Sequence, residues 1–219
     1  AGGAAGNAER GEQFFSKTFG TTLGWSCSTC HTKDPTKPGK DDMTAKRIGP
    51  MAPAFNPPAD AIALDGLARG WRAIETATRT GGDRAARNDM MVCALEGAMA
   101  FQKGLGAVHA LTHPLGAIRQ LNLHHGTLNA VLMPAVLRFN RSAIGEKWQR
   151  LEAFFGEAPD VAVSRLNSRL GMPPGLAAMG VTEEMLRPVA EDAMKDHCHS
   201  TNPRLATPDD YLAILRDSA

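Results

Sequence analysis

The chain is short of aromatics, net charge and long apolar runs, and each shortage closes off a class of protein. With one Tyr, three Trp and eight Phe among 219 residues, its core must be largely aliphatic. The 43% hydrophobic content still makes such a core feasible, in one large or two small domains. Lys and Arg number 24 against 23 Asp and Glu, a net charge of +1. That balance gives no electrostatic case for nucleic acid or an anionic membrane surface as a partner. No apolar run approaches the ~18 residues of a membrane span, and neither a signal peptide nor a transit segment is read in the sequence. Four Cys are too few to read as a disulfide framework, since two sit in one short motif. Period-2 alternation and the strand–helix alternation of a doubly wound sheet are missing too. The fold class expected is all-α.

What the chain does have is helical periodicity from residue 59 onward. Ala61, Leu64, Leu67, Ala68 and Trp71 recur three and four residues apart, with Asp60 in the first turn. Gly81-Gly82 ends that helix, and a second is predicted over 83–100. Further helices are expected over 107–117, over 127–139 with a kink at Pro134, and over 143–155, 161–170, 183–193 and 208–217. Before residue 59 the character differs. Residues 1–6 read as a frayed end, Asn7 as the cap of a short helix over 8–18, and 32–47 as a polar loop. A proline-dense seam runs from Pro50 to Pro58. Two regions follow from this break, a segment over 1–54 and a helical domain over 55–219.

The sharpest motif lies in the first region. Cys27-Ser28-Thr29-Cys30-His31 is a Cys-x-x-Cys-His string, the attachment site of a c-type haem: two thiols bond the vinyl groups and the histidine takes the proximal face of the iron. A thioredoxin-like dithiol or half of a zinc site competes with this reading. The first needs a strand before the motif and a helix after it. The second needs another ligand pair, and Cys93 and Cys198 stand alone. Haem attachment to thiols takes place outside the cytoplasm, so a periplasmic location is expected with haem and a cytoplasmic one without it.

The remaining histidines fall in three groups. His109 and His113 are one turn apart on a predicted helix face. His124 and His125 follow, pointing roughly 100° apart on a helix, so one of the two should face any given metal. Imidazoles from different segments converging on a point suit a divalent ion; partly buried histidines with local hydrogen bonds are the plainer alternative. Asp196-His197-Cys198-His199 resembles a metal loop but reads better as a polar helix end.

Two family resemblances rest on these strings. The runs FNPPADAIAL from Phe55, GLGAVHALTHPLGA from Gly104, HHGTLNAVLMPAVLRFN from His124 and DHCHSTNPR from Asp196 resemble the C-terminal helical domain of the iron-containing (group III) alcohol dehydrogenases. The resemblance implies a divalent Fe or Zn that polarises an alcohol oxygen while hydride passes to NAD(P). It makes His109 and His125 metal ligands and His113 a catalytic residue beside the metal, in substrate contact or proton relay. It also exposes gaps. The family's other two ligands come from an Asp-x-x-x-His helix and its cofactor from a nucleotide-binding domain with a Gly-Gly-Gly-Ser turn; the chain shows neither, so NAD(P) has no evident place.

The strings Ala8-Glu9-Arg10-Gly11-Glu12, SCSTCHTKDP from Ser26 and IGPMAPA from Ile48 resemble a monohaem cytochrome c family of the sphaeroides haem protein type. That resemblance implies electron transfer, with Cys27 and Cys30 as thioether links and His31 as the iron's proximal ligand. Met43 and Met51 are candidates for a sixth ligand. Met51 is preferred for its proline-stiffened setting, and packing is the ordinary role of either. Together the two resemblances imply an oxidoreductase or electron-transfer protein with a redox partner protein or a small alcohol or aldehyde. A non-catalytic helical module that assembles with a partner or into an oligomer is the alternative.

Overall fold

The computed structural model describes residues 57–101 and 104–219. The haem motif Cys27, Cys30 and His31, the candidate ligands Met43 and Met51, and the proposed helix over 8–18 lie outside the described residues.

The described chain is built from helices, with no strand among the described residues. In chain order these are α1 Pro57–Arg79, α2 Arg84–Ala100, α3 Gly106–Gly116, α4 His125–Ile144, α5 Glu146–Phe155, α6 Pro159–Arg169, α7 Glu183–Ala193 and α8 Pro208–Asp217, with short 3-10 turns at Ala177–Met179 and His199–Thr201. None of these helices is long and apolar enough to cross a membrane.

Each boundary has a local cause. Asp83 accepts a hydrogen bond from Ala86 N and so starts α2 one residue after Gly82. Thr207 and Asp210 form a reciprocal capping box that starts α8. His124 takes the N-cap of α4, its Nδ1 accepting from Thr127 N at 3.3 Å. The helix therefore begins two residues before the expected Thr127. It also runs on through the buried Pro134 to Ile144, five residues beyond the expected Phe139. Proline removes one hydrogen bond from the ladder, and the surrounding packing holds the helix across it.

α3 lies at the centre. Seven of its eleven residues are buried, including Ala107, Ala110, Leu111 and Leu115, so it is apolar nearly all round, as a central helix must be. It packs on α4 and α7, while α4 also packs on α6 and α8, and α7 on α8. Leu128 and Leu132 of α4, Leu186 and Ala190 of α7, and Tyr211 and Leu215 of α8 close the core around it. α1 and α2 form a hairpin that packs chiefly on itself. Gly70 permits the close crossing, because a Cβ there would sit 2.6 Å from Cys93 Sγ. The Trp71 ring meets Phe155 edge-on at 4.6 Å, and the Arg169–Glu75 and Lys147–Asp60 ion pairs also join this hairpin to the body.

Candidate metal centre

α3 and the N-terminus of α4 bring three imidazoles together. Their ring centres form a triangle: His109 to His125 at 5.0 Å, His113 to His125 at 5.7 Å and His109 to His113 at 5.8 Å. The one-turn spacing on α3 supplies two corners, and the first residue of α4 supplies the third. His124 does not join them. Its ring is spent on capping, bonded to Thr127 Oγ1 at 3.1 Å as well as to the backbone. The choice between the two adjacent histidines is thus made by the cap.

Two imidazoles sharing one tetrahedral ion, with metal–nitrogen bonds of about 2.0–2.1 Å, place their ring centres about 5 Å apart. The His109–His125 separation fits that figure, whereas His113 stands wider from both. The site is also open: His125 is exposed and His109 half-buried. Burial, then the neighbouring rings of His125 and His113, hold His109 below the ordinary imidazole range. Its ring therefore stays neutral, the form that binds a metal. The donor set fits half of a four-coordinate divalent site, leaving two positions to ligands from elsewhere or to solvent.

His113 is held by a different partner. Its Nδ1 lies 2.8 Å from Asp196 Oδ2, and the other carboxylate oxygen accepts from Cys198 N at 2.8 Å. The His113 side chain is 37% exposed and that of Asp196 14%. Burial alone would raise the Asp196 pKa, but the hydrogen bonds from Cys198 N and from His113 outweigh it and leave the carboxyl below its usual range. His113, Asp196 and Cys198 offer ligand atoms within 4.8 Å of one another, yet these atoms are already committed. Both carboxylate oxygens accept hydrogen bonds, and the buried thiol, desolvated and facing Asp196, is pushed up to about 12. A protonated thiol is a poor metal ligand.

The loop after α7 that carries Asp196 is anchored to α3 by a second contact set. Asn202 is buried, and its Oδ1 accepts from Ala107 N at 3.0 Å and from Asn140 Nδ2 at 3.0 Å. Its own amide donates to Asn140 Oδ1 at 2.7 Å and to Arg204 O at 2.6 Å. Thr201 Oγ1 accepts from Gly106 N at 3.3 Å. α3 has no side-chain cap of its own at Leu105, so these two residues satisfy its first amides from 95 residues away. Gly104 and Gly106 hold φ of +106° and +71°, and a Cβ at Gly104 would run into the Thr201 side chain. Only glycine suits this turn.

From sequence, Asp196-His197-Cys198-His199 is expected to be a polar helix end. The structure instead ends α7 at Ala193 and folds those residues onto the histidine cluster. His197 is exposed, and its ring stacks near that of His113 at 5.9 Å. His199 turns away to bond the buried Tyr211 hydroxyl at 2.9 Å, a structural role. Asp196 is read from sequence only as part of that string, and Thr201, Asn140 and Asn202 are given no role there. The signal available was a carboxylate and an amide inside a histidine-dense, proline-terminated loop.

The described residues thus form a helical domain in which histidines of α3 and α4 converge. Residues 51–219 match the pattern of the C-terminal region of the Fe-containing alcohol dehydrogenase family, and the chain belongs to that family. Residues 1–60 match a domain of unknown function (DUF1924). A 4-hydroxybutyrate dehydrogenase of Cupriavidus necator is 54% identical over 179 residues, covering 77% of this chain and 47% of the relative. An NAD-dependent methanol dehydrogenase of Bacillus methanolicus is 32% identical over 193 residues, covering 82% of this chain and 50% of that one. Among solved structures, a 1,3-propanediol oxidoreductase superposes with a TM-score of 0.71 at 33% identity, over 75% of this chain and 46% of its own. The chain thus spans about half the length of the relatives it matches.

Proposed function

We propose that the chain is an oxidoreductase in which His109 and His125 supply two ligands to a divalent Fe or Zn ion for alcohol or aldehyde chemistry, and in which residues 27–31 carry a covalent c-type haem. The observation that carries the first part is the 5.0 Å separation of the His109 and His125 rings, in a domain whose relatives include a 4-hydroxybutyrate dehydrogenase and a methanol dehydrogenase. A divalent ion held there would supply a Lewis acid for an alcohol oxygen. The protein's own residues do the rest. His109 and His125 fix the position of the ion from two helices, and the open face admits a small substrate. His113 holds a ring nitrogen within reach of the same space, and its partial exposure leads a proton on to water.

Oxidation of an alcohol to an aldehyde releases two electrons and two protons. A nicotinamide, if bound, would supply the hydride acceptor, and His113 would take the remaining proton. Relatives such as the NAD-dependent methanol dehydrogenase support a nicotinamide as acceptor; a haem on Cys27 and Cys30 would instead have to pass the two electrons one at a time to a redox partner protein. The Cys-x-x-Cys-His string supports the haem, and with it a periplasmic location and a redox partner protein. Two measurements on the purified chain test the proposal. Metal analysis should find close to one equivalent of Fe or Zn, and a pyridine haemochrome spectrum should show thioether-bound haem. A chain with neither group overturns the proposal, and a chain with metal alone removes the haem and its compartment.

A further inference from the structure

The geometry points to Asp196 as a positioning residue that fixes the tautomer of His113, placing the proton on Nδ1 and leaving Nε2 as the free acceptor. The inference rests on the reading of His113 as the proton-handling group of the site. An ionised carboxylate can only accept hydrogen bonds, so the 2.8 Å contact between Asp196 Oδ2 and His113 Nδ1 puts the donor on the imidazole. The neutral ring then has one lone pair left, on Nε2.

Asp196 is equipped for this role and for little else. Its second oxygen is occupied by Cys198 N at 2.8 Å, so the carboxylate cannot rotate without losing a bond. Cys198 is 1% exposed and pins the loop in the core. The Asn202 and Thr201 bonds to the first amides of α3 then fix that loop against the helix bearing His113. A His–carboxylate pair held from both sides keeps one ring orientation and steadies the imidazolium when Nε2 takes a proton.

The test is the tautomer itself, read by two-bond 1H–15N spectra of the full chain with metal stripped by chelation. Spectra are taken near pH 8, above the ordinary imidazole range of about 6.5, with the His113→Asn variant identifying the signals. In the wild-type chain His113 should be predominantly Nδ1–H. In Asp196→Asn the amide oxygen keeps the Cys198 N–H and its NH2 faces the ring, so the His113 proton should move to Nε2. Asp196→Ala should release the ring to a mixture, while the His109 and His125 tautomers stay as they were. A wild-type His113 protonated on Nε2, or one unchanged in both variants, overturns the inference. Metal uptake by the same samples reports separately on the proposed function: a metal-binding chain with the wrong His113 tautomer defeats this inference alone, and a correct tautomer without metal defeats only the ligand assignment.

Discussion

The α1–α2 hairpin and the body of α3, α4, α7 and α8 solve the burial problem in opposite ways. The body encloses the apolar face of α3, so that Ala110, Leu111 and Leu115 are fully buried, and spends its polar groups on tying distant segments to that helix. The hairpin buries little. Its two helices are joined by ion pairs of Arg69 and Arg72 with Asp89. The outer face of α2 leaves Met91 and Leu95 at 72% and 62% exposure. The candidate site lies wholly in the body. Chemistry that needs imidazoles held to a fraction of an ångström sits on the part of the molecule whose packing permits no drift.

That comparison breaks down if the two regions respond alike to truncation. Leu111→Ala should destabilise the chain by about 2–5 kcal/mol, since it empties a fully enclosed position. Leu95→Ala should stay within about 0.5 kcal/mol. Urea unfolding of both variants gives the contrast directly.

Next in size is Asn202→Ala. It strips a partner from Ala107 N and from the Asn140 amide, all buried, and should cost about 1–3 kcal/mol. Hydrogen exchange should become faster at the N-terminus of α3 while the α1–α2 hairpin is unaffected.

A smaller effect distinguishes the hairpin by sign. Gly70→Ala places a Cβ against Cys93 Sγ and should destabilise. In a Cys93→Ala background the same change should be stabilising by up to about 1 kcal/mol, the helix-propensity gain of alanine. A double-mutant cycle by thermal unfolding measures the reversal.

The smallest effect tests the α8 cap. Thr207→Ala should cost about 1 kcal/mol. Hydrogen bonds from Thr207 N and its hydroxyl hold the Asp210 carboxyl below its usual range. A carboxyl lowered on folding contributes stability that is present above its unfolded pKa of about 3.9 and is lost as the pH falls through the folded value. Asp210→Asn should therefore flatten the acid limb of a stability–pH curve below about pH 4.

Much of the architecture was legible in the sequence because its determinants are local. Helical periodicity with Gly81-Gly82 and Asp83 marks the hairpin turn, and α7 and α8 begin and end where residues 183–193 and 208–217 suggested. α4 was read short because a histidine cap and a proline carried through a buried helix both run against local propensity. Within the site, the His109–His113 pair follows from a one-turn spacing; the angle between adjacent residues admits one of His124 and His125, and the family resemblance selects His125. Asp196 could not be found that way. It meets His113 across 83 residues, and only the tertiary fold brings that loop back, as it brings Asn202 to Ala107.

The central claim is that His109 and His125, and not their neighbour His124, form the metal pair. Calorimetric titration of the full chain with Zn2+ tests it most directly, using the wild type with His109→Ala, His125→Ala and His124→Ala. The account predicts one site in the wild type and in His124→Ala, and its affinity lowered at least tenfold in each of the other two variants, with the helical circular dichroism of all four chains alike. Undiminished Zn2+ binding in the His109→Ala and His125→Ala variants, or none in the wild type, would contradict it.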